Sequence, residues 1–188
     1  MLVPVAALLR RWRGPDARAS EVADVRRRIA SASRRPATDE VRALALELRA
    51  LRPQVLDAFQ GVRSCTGCGK GRPEPHGHWN GGFCCGGATS GVFDDDEVAA
   101  LALAGTRAKH LKAPGGDHAG CAFRGPTGCS LDAVDRPSLC VRFACRELEA
   151  ELRASGQWER VRSLTKRLEK TFARFVKAHD AVNLSQRE

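Results

Sequence analysis

Tyrosine is absent from the chain, methionine occurs once, and aromatic residues make up only 5% of it. Proteins that hold single-stranded nucleic acid stack bases on aromatic side chains, so a stacking platform of that kind is excluded. No apolar run approaches the roughly 20 residues needed to span a bilayer, which excludes a membrane-spanning helix. The chain has no phosphate-binding loop, no dinucleotide fingerprint, no G-x-S-x-G elbow and no H-E-x-x-H helix. A zinc-finger helix with paired histidines is missing too, and no repeat recurs at a fixed period. Residues 1–9 are apolar but few, Pro4 interrupts them, and Arg10, Arg11 and Arg13 follow them. A secretory signal puts its positive charges first, so the expectation is a cytoplasmic, reducing location.

Cysteine is missing from both flanks, yet eight cysteines crowd the centre: Cys65, Cys68, Cys84, Cys85, Cys121, Cys129, Cys140 and Cys145. Large aliphatic residues are scarce in the same region. Between residues 61 and 91 the only large apolar side chains are Val62, Trp79 and Phe83. Burial alone cannot offset the ordering entropy of such a stretch, so something else must hold it. In a reducing compartment clustered cysteines point to metal or redox chemistry and not to disulfides.

What remains is enough for one domain. The 188 residues are 43% hydrophobic and 28% charged, which allows a core and argues against broad disorder. The formal net charge is +9 with neutral thiols. Eight thiolates and two divalent ions would lower it to about +5. The predicted fold is mainly α, with a loop-rich, metal-stabilised cysteine-cluster core and at most a small β-hairpin. Three regions are expected: an N-terminal helical region (1–60), a cysteine-cluster metal-binding domain (61–150) and a C-terminal amphipathic basic helix (151–188).

Within the first region Ser20 is read as the N-cap of a helix carrying Val22, Val25 and Ile29, broken at Arg34-Arg35-Pro36. Thr38 is read as the cap of a second helix, with Val41, Leu44, Ala45, Leu48, Leu51 and Val55 on its apolar face and a kink or restart at Pro53. A cysteine-rich loop spans 61–91. Asp94 then opens a helix, with Glu97 placed for a capping box and Gly105 as the stop. A loop over 113–120 leads to a hairpin over 121–131 around the turn Gly125-Pro126-Thr127-Gly128. Pro137 begins a helix predicted to reach about Ser155, and Gly156 ends it. The last helix, about 157–179, places Trp158, Val161, Leu164, Leu168, Phe172, Phe175 and Val176 on one face and seven Arg and Lys residues on much of the rest.

Cys65-Thr-Gly-Cys68 is a C-x-x-C whose turn brings two thiolates to one ion, while its glycines let backbone amides reach the sulfur atoms. Alone the motif is weak evidence; joined by the pairs 84/85, 121/129 and 140/145 it is a strong signal for metal. Neighbouring side chains diverge, so Cys84 and Cys85 either serve two sites or one of them bridges two ions. Eight cysteines fit two four-thiolate sites or one polynuclear cluster, and spacing does not choose between zinc and iron. His76 and His78, in Pro75-His-Gly-His-Trp79, are further candidate ligands but read more simply as solvated loop residues. His110 and His118 read as loop or helix-end residues; Asp94 to Asp96 are candidates for binding a cation but read more simply as helix caps; and Arg136 reads as a local donor to carbonyls or a balance for thiolate charge, with anion binding the alternative.

The order of these elements resembles a known family. Cys65-x2-Cys68, Cys84-Cys85-Gly86-Gly87, Asp96-Glu97, Cys121-Ala-Phe-Arg-Gly-Pro-Thr-Gly-Cys129-Ser-Leu and Arg136-Pro137-x2-Cys140-x4-Cys145 look like the cysteine-cluster family named for its CxxCxxCC motif, the YkgJ-type zinc- or iron-chelating domain. The likeness covers about residues 62–147. It departs from the family pattern in the segment 69–83, which lengthens the gap before Cys84, and at Val141, where the arginine is displaced to Arg142. The resemblance implies metal chelation by the eight cysteines. A related domain in a flagellin lysine methylase also keeps redox or methyl-transfer support open.

The expected function is therefore a metal-binding protein holding zinc or an iron–sulfur cluster, with metal ions as its partners and a protein partner possible. Two alternatives stand beside it. One is an Fe–S redox or electron-transfer protein supporting a methyltransferase or protein-modifying enzyme. The other is a basic nucleic-acid-associated protein stabilised by zinc.

Overall fold

The computed structural model describes residues 15–62, 88–114, 121–125 and 128–185. The elements in order are α1 (Pro15–Ala32), α2 (Asp39–Ala58), α3 (Thr89–Val92), α4 (Asp95–Leu103), β1 (Arg124–Gly125), β2 (Gly128–Cys129), α5 (Ser138–Arg142), α6 (Arg146–Ala154) and α7 (Trp158–Ser185). Short 3-10 turns at Ala108–His110 and Ala133–Asp135 join them. The protein is mainly helical, and its sheet among the described residues is the hairpin β1–β2, in which Arg124 pairs with Cys129 and Gly125 with Gly128.

α1 starts earlier than its sequence reading. Pro15 stands at the first helical position, where a missing N–H costs nothing, so Ser20 lies inside the helix and is not its cap. Val22, Val25, Ile29 and Ala32 form its buried stripe. α2 begins where expected: the Thr38 hydroxyl accepts from Val41 N at 3.3 Å. Its six expected apolar positions are all buried, and Pro53 lies inside one helix that continues to Ala58.

α4 is the wall shared by two hydrophobic clusters. Val98, Leu101 and Ala102 pack with α1, Phe93, Leu111, Phe123 and Leu131. Ala99, Ala100 and Ala104 pack instead with α2, Val141 and the α7 residues Leu168 and Phe175. A helix apolar on every side is one buried on every side, and its alanines let both neighbours approach. Asp94 caps it, accepting from Glu97 N at 2.7 Å. Gly105, at φ +95, ends it: Gly105 N donates to Ala102 O and Thr106 N to Leu101 O, both at 3.0 Å.

Two further boundaries differ from the sequence reading. The loop predicted to run to Gly91 gives way to α3 at Thr89. The single helix expected from Pro137 to Ser155 is two, α5 and α6, separated by extended backbone at Phe143 and Cys145. The halves serve different clusters. Val141 faces α2 and α7, whereas Leu148 and Leu152 pack with Ala58 and Val161. α7 then runs past 179 to Ser185, because Val182 continues its apolar seam against α2 and no proline or glycine interrupts it. No described helix is long and apolar enough to cross a membrane.

Candidate metal centre

Of the eight cysteines, Cys121, Cys129, Cys140 and Cys145 fall among the described residues, and none of the four is in a disulfide. Cys65, Cys68, Cys84 and Cys85 lie outside them, as do His76, His78 and His118. The described four come from the hairpin and the two short helices that follow. Cys121 is buried at its base, Cys129 ends β2, Cys140 lies in α5 and Cys145 immediately precedes α6. Cys121 belongs to the cluster around Phe93 and Phe123, and Cys129 and Cys140 pack against that same cluster. Cys145 does not; it packs against Leu148, Leu152 and Val161. Among the described residues no three sulfur atoms lie within 4.8 Å of one another.

Arginines from α1 hold the hairpin region in place. Arg18, itself buried, donates to Pro114 O at 2.8 Å and to Arg124 O at 3.0 Å. Arg26 donates twice to Leu111 O, at 3.0 and 2.7 Å. Thr89 accepts from Ala122 N at 2.8 Å and donates to the Glu21 carboxylate. Ser130 Oγ reaches Lys112 O at 2.6 Å, and Arg136 Nε donates to Leu131 O at 2.9 Å, the carbonyl-binding role expected of it. Strands of two residues have little stability of their own, so these side-chain anchors matter more here than the ladder.

A buried polar network underlies α5. Arg52 Nη2 donates to Glu97 Oε1 at 2.7 Å, and Ser138 Oγ donates to the same oxygen at 3.2 Å. The Glu97 carboxylate thus turns inward to Arg52, leaving the capping box of α4 half formed. Burial pushes Glu97 up from the usual carboxylate range and Arg52 down, and the charge of each partner pulls the other back. Nearby, buried Asp135 accepts from Thr106 Oγ1 at 2.7 Å and lies 3.5 Å from both Arg49 Nη1 and His110 Nδ1.

A different set of donors does converge. Asp96 of α4 and His179 and Asp180 of α7 bring one ligand-type atom each within 4.8 Å of one another, the one such group of three among the described residues. Nothing in the spacing of the sequence marks it, because Asp96 reads as a helix cap and its partners lie far along the chain. The cysteine donor set agrees in kind with a thiolate metal site, and three of the described members border one cluster.

The chain matches no protein-family model, no curated protein and no solved structure.

Proposed function

We propose that this is a metal-binding protein whose central cysteines hold zinc or an iron–sulfur centre, and that the metal organises the poorly apolar middle of the chain. The observation that carries the reading is the placement of Cys121, Cys129 and Cys140, none of them in a disulfide, around the Phe123 cluster. Backbone of that kind, with two-residue strands and a five-residue helix, gains the most from a bound ion. The order of cysteine pairs, with its resemblance to the YkgJ-type cysteine-cluster family, supports the same reading. Cys121, Cys129 and Cys140 are the proposed ligands beside the hairpin cluster and Cys145, in a different cluster, a ligand of a second site; Cys65, Cys68, Cys84 and Cys85 supply the remaining ligands of both. A bound zinc supplies folding energy, whereas a cluster supplies electron transfer.

The test is elemental analysis and a visible spectrum on full-length protein purified without oxygen, alongside Cys129→Ser and Cys140→Ser. Wild type is expected to carry about two zinc ions without colour, or iron and sulfide with absorption near 400 nm, on the order seen for thiolate clusters. Each variant is expected to lose metal and melt at a lower temperature. Metal-free, folded wild type, or variants with full metal, overturns the assignment.

One observation favours a second reading, in which the chain also binds nucleic acid. Arg160, Lys166, Arg167, Lys170, Arg174 and Lys177 are all exposed on α7. Helical spacing puts them within roughly a third of its circumference, along about 25 Å. The near-regular stripe matches a phosphate backbone in charge and length.

A further inference from the structure

The acidic run at the start of α4 has four members, and three are committed elsewhere. Asp94 caps the helix, Asp95 pairs with Arg28 at 2.8 Å, and Glu97 pairs with Arg52. Asp96 is the one directed at α7. There it meets His179, 8% exposed, whose ring stacks on Phe175 with centroids 5.5 Å apart and planes 16° apart. The Asp180 carboxylate completes the group.

The contact between His179 and Asp96 has an informative length. Nδ1 and Oδ1 are 3.6 Å apart. Asp96 and His179 are already partners through charge and a hydrogen bond. Their separation is also one that two ligands of a single ion can take. With metal–ligand bonds of about 2.1 Å and tetrahedral angles, the donor atoms stand about 3.4 Å apart. Two carboxylates also face a single imidazole. The Asp96 and Asp180 carboxylates bring an oxygen each within 4.8 Å of one another and of an imidazole nitrogen. Like charges at this distance are relieved by a divalent cation.

We propose that Asp96, His179 and Asp180 form a divalent-cation site, separate from the cysteines, that ties α4 to α7. One imidazole and two carboxylates suit a first-row ion such as manganese, iron or zinc; thiolate-seeking ions prefer the cysteines. Three protein ligands leave positions for water, and stacking on Phe175 fixes the orientation of the imidazole before the ion arrives.

Manganese separates this site from the cysteine centre, because oxygen and nitrogen donors bind it and thiolates prefer softer ions. Full-length protein would be titrated with Mn2+, bound ion being read by electron paramagnetic resonance and the His179 ring by NMR line broadening. Wild type is expected to bind one equivalent, broaden the His179 signals first, and melt at a higher temperature with the ion present. Asp180→Asn, an exposed position, is expected to keep the ion-free melting temperature and weaken binding by more than about tenfold, since loss of even a supporting group costs about 10–100-fold. Asp96→Asn is expected to weaken binding likewise, whereas Asp95→Asn is expected to bind as wild type. Equal Mn2+ affinity in wild type and Asp180→Asn, or no saturable binding in wild type, overturns the proposal.

Discussion

Arg52 shows what one residue can decide. It lies four residues after Leu48 and three before Val55, so its place on the apolar face of α2 follows from spacing alone. Its partner does not: Glu97 is 45 residues away, and only packing brings the two together. Arg52 is fully buried, and the Glu97 carboxylate sits 2.7 Å from its guanidinium. Arg52→Met is expected to cost about 3–5 kcal/mol by leaving that carboxylate buried without a counter-charge, and Arg52→Met/Glu97→Met to recover much of the loss. Urea unfolding of the single and double variants measures this. A double variant no more stable than the single one would show that Arg52 matters for its packing and not its charge.

At the scale of elements, glycine marks the stops most sharply. Gly105 has φ +95 and Gly91, in α3, does not have positive φ; a Cβ at either position meets nothing within 4 Å. The two therefore separate backbone strain from crowding. Gly105→Ala is expected to destabilise by about 1–2 kcal/mol, and Gly91→Ala to be neutral or slightly stabilising, as thermal melts of both would show. Such local signals are why much of the helical order could be read directly: Thr38 and Asp94 cap as expected, and Gly105 and Gly156 terminate. What misled were positions where tertiary packing overrides local preference. The segment 143–145 carries no strong breaker, yet it extends so that Val141 and Leu148 can reach different clusters. The site was half legible for the same reason. Cysteine spacing identifies candidate ligands by type, but the meeting of Asp96 with His179 depends on how α4 lies against α7.

Across the whole molecule the charges are uneven. α7 turns its apolar seam to α2 and its basic stripe to solvent, where Arg167 pairs with Glu47 at 3.1 Å. If six phosphates are engaged, affinity for duplex nucleic acid is expected to fall about a thousandfold between 50 and 200 mM salt. Replacing Lys170, Arg174 and Lys177 together with alanine is expected to flatten that dependence. Fluorescence anisotropy over a salt series measures both; salt-independent binding, or none, removes the nucleic-acid reading.

The seam of α7 carries one more consequence. Val161, Leu168, Phe175 and Val182 recur every seven residues, joining the cluster around α6 to the cluster around α2 along a single rod. The cluster that borders Cys121, Cys129 and Cys140 includes no residue of that rod. That cluster and the one around α2 are joined through α4, which lines both, and through α5, where Cys140 borders the first and Val141 enters the second. If metal holds the hairpin end as proposed, its removal is expected to loosen that end first and leave the α2–α7 pair, whose seam lies in the other clusters, folded.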